Sequence, residues 1–204
     1  MPGPAYTLRT PRLVLRCWEP ADAPAYRAAL EVSREHLLRW IPWMVDEPRP
    51  LDDQVKRLRG LRAWFDTGRD FIYGAFERDG GALVGSVGLH PRTPGARELS
   101  FWMDVRHAGR GHATEAAGAL VRLAFEVDAV ERVEVHCDPR NEASRRIAAR
   151  LGFVHEATLR GRDHDEHGAP TDLMIWSLFR DAYGASPAAA AEVEAFDAIG
   201  RPLL

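Results

Sequence analysis

The sequence predicts one mixed α/β domain (α+β in layout): a mostly antiparallel sheet of six to seven strands with helices on both faces. Three observations predict it. Two runs of strand-like residues, 70–78 and 81–90, follow each other across "DGG" and read as a hairpin. Residues 97–138 read strand, helix, strand, an order that gives a parallel pair joined by a right-handed crossover. The composition, 46% hydrophobic and 28% charged over 204 residues, is that of a globular chain long enough for a proper core.

Each element has its own local signal. "PRLVLRCWE" (11–19) alternates Leu13, Leu15 and Cys17 with polar neighbours, the period of a half-buried strand. Asp22 and Pro24 form a helix start, Ser33 with His36 would open a second short helix, and Pro42 would stop it. In 51–68, Val55, Leu58, Leu61 and Phe65 recur at helical spacing, with Asp52 and Asp53 in the first turn and Gly68 at the exit. "RELSFWMDV" (97–105) is a strand, 112–127 carries an apolar stripe from Ala116 to Phe125, and "ERVEVHCD" (131–138) alternates again. "NEASRRIAARLGF" (141–153) is a helix capped by Asn141 and ended by Gly152. "VHEATLRGR" and "TDLMIWSLF" close the sheet around the loop "DHDEHGAP" (163–170). The composition changes after Tyr183, so the expected division is a domain over 1–183 and a tail over 184–204. Ser186 as cap, Pro187 in the first turn and Gly200 beyond the end predict a tail helix.

Function classes narrow on charge and cysteine count. The net charge of −3 gives no global attraction to nucleic acid or anionic membrane. Cys17 and Cys137 are far apart without metal-ligand spacing, which fits a reduced, cytoplasmic protein. The N-terminal "MPGPAYTLRTPRL" lacks a signal peptide's apolar run, and no other stretch predicts a membrane span. His164 and His167 stand three apart in a polar loop without a further ligand pattern, so no metal is expected.

The informative stretch is "RHAGRGHATEA" (106–116), two glycines one residue apart running into a helix. A helix N-terminus presents unpaired N–H groups and the positive end of a dipole, a ready anion site. Gly109 and Gly111 allow a tight turn and close approach of a phosphate, and Arg106 and Arg110 add charge. The alternative is an ordinary loop into a helix. No Gly-Lys-Ser/Thr is present, and the Rossmann spacing would need a glycine where Thr114 stands.

The pattern Arg106-x-x-Gly109-x-Gly111, behind a strand and ahead of an amphipathic helix, resembles the cofactor loop of the GNAT acyltransferases. "TPRLVLR", "LLRWIPWM", "GSVGL", "ELSFWMD", "GRGHATEA", "DPRNEASRRIAARLGF" and "TDLMIWSL", in that order, resemble the RimJ/RimL-like branch of that superfamily over residues 8–183. The resemblance implies acetyl-CoA as cosubstrate, held where strand 97–105 splays from strand 131–138. It implies that the N–H groups of Gly109, Arg110, Gly111, His112 and Ala113 grip the pyrophosphate. Met103, Asp104 and Val105 would pair through their backbones with the pantetheine arm, and Asn141 would touch it.

Acyl transfer to an amine needs a proton removed, an oxyanion stabilised and a thiolate protonated. Where many GNAT members carry a tyrosine seven residues after the Asn, this chain has Ala148, and the branch resemblance assigns the acid role to Ser144; otherwise Ser144 is a helix-surface serine. For the base the resemblance points to Asp163, ten residues past Phe153. Glu98, on the strand beside the cleft, is the rival, and water the third alternative. Asp163, Asp165 and Glu166 would form an acidic rim attracting a cationic acceptor. Trp43 is either core or a substrate contact, His136 is structural or partner-facing, and Arg12 and Arg16 are solvated. The expected function is N-acetyl transfer to a primary amine, a protein N-terminus or small molecule, by direct attack in a ternary complex. A succinyl or other acyl donor, or a non-catalytic CoA-binding module, are the alternatives. Exposed closing strands make self-association, as a homodimer, an expectation.

Overall fold

The computed structural model describes residues 4–204, so the first three residues of the expected 1–183 domain and of the N-terminal segment lie outside it. The sheet is mixed and open, and its strands are β1 (Thr7–Arg9), β2 (Leu13–Cys17), β3 (Phe71–Glu77), β4 (Leu83–His90), β5 (Ala96–Met103), β6 (Arg132–Cys137), β7 (Val154–His164), β8 (Pro170–Phe179) and β9 (Glu194–Phe196). They lie in the order β7-β8-β6-β5-β4-β3-β2-β1-β9. β5 and β6 are the parallel pair, and the named neighbours otherwise run antiparallel. Nine strands replace the expected six to seven because β1 and β9 are too short, at three residues each, to show alternation.

Helices α1 (Ala23–Leu38), α2 (Leu51–Asp66), α3 (His112–Glu126), α4 (Glu142–Arg150) and the short α5 (Arg180–Tyr183) pack around the sheet. α3 buries its stripe, Ala116 through Phe125, against Val87, Leu89, Leu99, Val133 and Val135. Each large apolar side chain so buried stabilises by about 1.5–3 kcal/mol. On the other face, α1 and α2 close a second core in which Trp18, Tyr26, Leu30, Met44 and Leu58 meet Phe76, Leu83 and Trp102. β4 is buried along its whole length, as a strand covered on both faces must be.

Two expectations fail. Ser33 does not open a new helix but lies buried inside α1, where its Oγ accepts from the Val105 N–H at 2.9 Å. The tail forms no α-helix either. Ser186 and Pro187 start one 3₁₀ turn, Pro187–Ala190, but the chain turns extended at Ala191 and β9 pairs with β1, Leu8 opposite Ala195. Alanines favour helix, but intrinsic propensity is small per residue and tertiary pairing overrides it where an open sheet edge offers partners. The tail is clamped on the way, with Arg122 Nη1 donating to Ala191 O at 2.9 Å.

Gly85 lies opposite Met103 at the end of β5, where an added Cβ would sit 2.3 Å from Trp102 O and 2.9 Å from Met103 Cα. Backbone atoms cannot yield as a side chain can. Gly60, inside α2, has nothing within 4 Å of such a Cβ. In urea denaturation, Gly85→Ala is expected to lose about 3 kcal/mol, and Gly60→Ala to gain about 0.5–1 kcal/mol. Equal stabilities for the two variants would contradict this packing.

Candidate active site

Both glycines of the loop are left-handed, Gly109 at φ 75° and Gly111, the N-cap of α3, at φ 83°. Those angles turn the chain so that successive N–H groups open the helix. The first α3 bond runs from Glu115 N–H to Gly111 O, and among the described residues no backbone carbonyl accepts from the N–H groups of residues 109–114. A Cβ at Gly109 would meet nothing within 4 Å, so the space before the loop is open. Unpaired amides at a helix start are the donor set an anion needs. His112 is buried and its pKa is lowered, by burial first and then by Arg12, so it adds no charge here at neutral pH.

The arginines divide differently from expectation. Arg12 is not merely solvated: its Nη1 donates to Arg110 O at 2.9 Å and its Nε to Glu115 at 2.6 Å, fastening the loop to α3. Thr10 Oγ1 also donates to Glu115 at 2.6 Å. Burial raises the Glu115 pKa, but the hydrogen bonds from Thr10 and Arg12 outweigh it and hold the carboxyl below its ordinary value. Arg16 pairs with Asp22 at 2.7 Å. Arg106 turns back on the fully buried Asp104, donating through Nε to both carboxylate oxygens, so its charge is largely engaged within the loop.

β5 and β6 pair only at Ala96–Arg132, Arg97–Val133 and Glu98–Glu134, and then diverge. Because Asp104 N–H donates to Val84 O at 2.9 Å, the β4–β5 hydrogen-bonded pairs fall on every second residue from there. The peptide groups of Phe101 and Met103 therefore face the gap. The Asp104 and Val105 backbones, expected to pair with the pantetheine arm, already have partners: their amides donate to Val84 and Ser33, and their carbonyls accept from His107 and Ala108. The strand stops at Met103 because the Asp104 carboxylate caps the turn Val105–His107.

The gap opens into a cavity of about 730 Å³, within the range of small-ligand sites. Gly109, Ala113, Met103, Asn141, Ser144, Glu98, Asp163 and Trp43 all line it. Asn141 Oδ1 caps α4 by accepting from Ser144 N–H at 3.1 Å, which leaves its amide NH₂ for other partners. Ser144 is buried beside Cys137. Burial pushes the Cys137 thiol up in pKa, partly offset by Ser144 and Arg145, which disfavours its thiolate. Glu98 is partly exposed, with Arg92 Nε at 3.6 Å and His136 Nδ1 at 4.0 Å. His136 faces the cavity, its Nε2 2.9 Å from Glu134.

Asp163 lies within β7 rather than in a loop, exposed at the mouth, its Oδ1 accepting from His164 N–H at 2.9 Å. Asp165 holds the hairpin turn, accepting from His167 and Ala169 N–H, and these bonds lower its pKa. Trp43 is held by the Arg57 guanidinium 4.3 Å over its ring, and Arg57 by the fully buried Glu47 carboxylate at 3.0 Å. Among the described residues no three His, Cys, Asp or Glu side chains gather as metal ligands. Sequence reasoning missed Phe101, Arg57, Arg12's anchoring and a group formed by the buried Asp70 and His90 with the half-buried Ser100, which no local spacing announces.

Comparison with known proteins fits this geometry. The chain is 25% identical to the uncharacterized N-acetyltransferase YoaA of Bacillus subtilis, over 85% of this chain and 96% of the other. It is 26% identical to the ribosomal protein uS5-alanine N-acetyltransferase of Escherichia coli, over 75% and 80% of the two chains. The solved structure of Mycobacterium smegmatis RimJ in complex with CoA-disulfide superposes with a TM-score of 0.80 at 24% identity, covering 92% of this chain and 91% of that one. Residues 12–154 match the acetyltransferase (GNAT) domain, and the chain belongs to that family.

Proposed function

We propose that the protein transfers the acetyl group of acetyl-CoA to a primary amine, a protein N-terminus or a small molecule, by direct attack in a ternary complex in the cytoplasm. The observation that carries this reading is one cavity with the unpaired loop amides at one side and the Glu98 and Asp163 carboxylates at the other. The amides of Gly109 through Ala113 bind the diphosphate, with Arg110 adding charge. The Phe101 and Met103 backbones and Asn141 align the pantetheine arm, placing the thioester by Ser144. A free amide in the gap polarises the carbonyl as charge develops on its oxygen. Ser144 protonates the departing sulfur.

On the acceptor side, Glu98 receives the ammonium on the cavity floor, Asp163, Asp165 and Glu166 draw cations to the mouth, and Trp43 forms a wall. The Escherichia coli relative named as a ribosomal protein uS5-alanine N-acetyltransferase supports a protein N-terminus as one acceptor class. The raised pKa of the Cys137 thiol supports direct transfer over an acyl-cysteine carrier.

Purified protein mixed with acetyl-CoA and a panel of amines is expected to release free thiol with basic primary amines, and Gly109→Trp to weaken CoA binding about 100-fold or more by calorimetry. Tight CoA binding with no thiol release for any amine would make this a binding module. Ser144→Ala is expected to lower kcat by about 10²-fold with CoA affinity nearly unchanged; wild-type turnover in that variant would discard the acid role. Glu98→Gln is expected to raise the amine KM about tenfold, more than Asp163→Asn does. The reverse order in steady-state kinetics would move the ammonium to the mouth.

A further inference from the structure

His90 closes β4 with its ring buried between two partners. Nδ1 lies 2.6 Å from Asp70 Oδ1, and Nε2 lies 2.7 Å from Ser100 Oγ. Asp70 precedes β3 and Ser100 sits within β5, so three separate parts of the chain converge. Asp70 and His90 are each 7% exposed, and Asp70 has no Arg or Lys partner among the described residues. An ionised carboxylate only accepts, so Asp70 fixes the proton on Nδ1 and leaves Nε2 to accept from the Ser100 hydroxyl.

Two features tie this group to the reaction. Ser100 and His90 line the same cavity as Glu98, and Ser100 is two residues from Glu98 on the same face of β5. The strand is also kept bare where the contact forms: a Cβ at Gly88 would lie 2.9 Å from His90 Nε2 and 3.1 Å from Ser100 Oγ. A buried carboxylate and imidazole are costly to hold inside a domain unless fully partnered. Here the chain of bonds reaches the cavity at Ser100, while Asp70 Oδ1 also accepts from the Phe71 N–H at 3.1 Å.

We infer that Ser100, His90 and Asp70 are the relay that takes the proton from the acceptor ammonium; this rests on the acetyl-transfer reading. Ser100 Oγ touches the substrate and is the catalytic residue, while His90 and Asp70 act through it. An ammonium N–H proton moves to Ser100 Oγ as the Ser100 hydroxyl proton moves to His90 Nε2, and Asp70 stabilises the imidazolium. The freed lone pair forms the C–N bond to the thioester carbon. As the C–S bond breaks, Ser144 protonates the sulfur, and the second proton leaving nitrogen restores the Ser144 hydroxyl. His90 then returns its proton to water, so one ammonium yields one amide, one thiol and one proton.

An acceptor already neutral at the assay pH has no such proton to lose, and it separates this role from a structural one. With a strongly basic amine, Ser100→Ala and His90→Gln are expected to lower kcat about 100-fold with KM changed less than threefold. With a weakly basic, neutral amine the loss is expected to shrink below tenfold. Equal losses for both acceptors, or turnover within threefold of wild type with the basic one, overturn the relay. Nitrogen-15 NMR of the His90 ring reads the arrangement without turnover. The Nδ1-protonated form with Nε2 responding to Ser100→Ala supports the relay, and an Nε2-protonated ring overturns it. Absence of thiol release by the wild type with every amine would instead defeat the acetyl-transfer reading, leaving the NMR result to judge the hydrogen-bonded chain itself.

Discussion

Parallel strands β5 and β6 share only three residue pairs before they part, and the peptide groups beyond Glu98 and Glu134 are left facing a gap instead of each other. Buried backbone N–H and C=O groups need partners, so a gap of this kind persists only if something with its own donors and acceptors enters it or water fills it. In the proposed function the cofactor's arm, with two amides of its own, meets that demand. The proposed site is arranged around the parting: the crossover helix α3 brings its N-terminus to one end, α4 brings Asn141 and Ser144 to the side, and β5 carries Glu98 and Ser100 toward the proposed acceptor side.

The parting is itself held open. Asp104 caps the turn after β5 and engages Arg106, Ser33 reaches from α1 to take the Val105 amide, and Arg12 with Glu115 pins the glycine loop against α3. None of these side chains need touch a ligand, yet each fixes where the free amides point. Preorganised dipoles act without reorganising as charge develops, which is how they favour a transition state over a ground state. The same logic explains the buried Glu47, which receives Arg57 and so steadies Trp43 at the cavity wall. Breaking such a buried pair leaves a charge uncompensated.

Much of this was legible before any coordinates. Alternation in Leu13–Cys17 and Val133–Cys137, the α3 stripe, the Asn141 cap and the Gly109 and Gly111 turn are local signals, and local backbone chemistry decides them. The tail shows the limit. Its alanines suit a helix, but an unpaired edge at β1, remote in sequence, drew residues 194–196 into the sheet. Arg106 and Arg12 show the same limit at the site: one looked like a phosphate ligand and turned to Asp104, the other looked solvated and anchors the loop. Asp70, His90 and Ser100 have no shared spacing, and only the register of β4 against β5 and the bare Gly88 bring them together.

Under the proposed function, the peptide groups of Phe101, Met103 and residues 109–113 are the cofactor's binding surface. Amide hydrogen exchange measured residue by residue, with and without acetyl-CoA, tests it most directly. The account predicts strong protection of Gly109, Arg110, Gly111, His112 and Ala113, together with Phe101 and Met103, while Asp104 and Val105 are protected already in the free protein. Unchanged exchange in the glycine loop at saturating acetyl-CoA would contradict it.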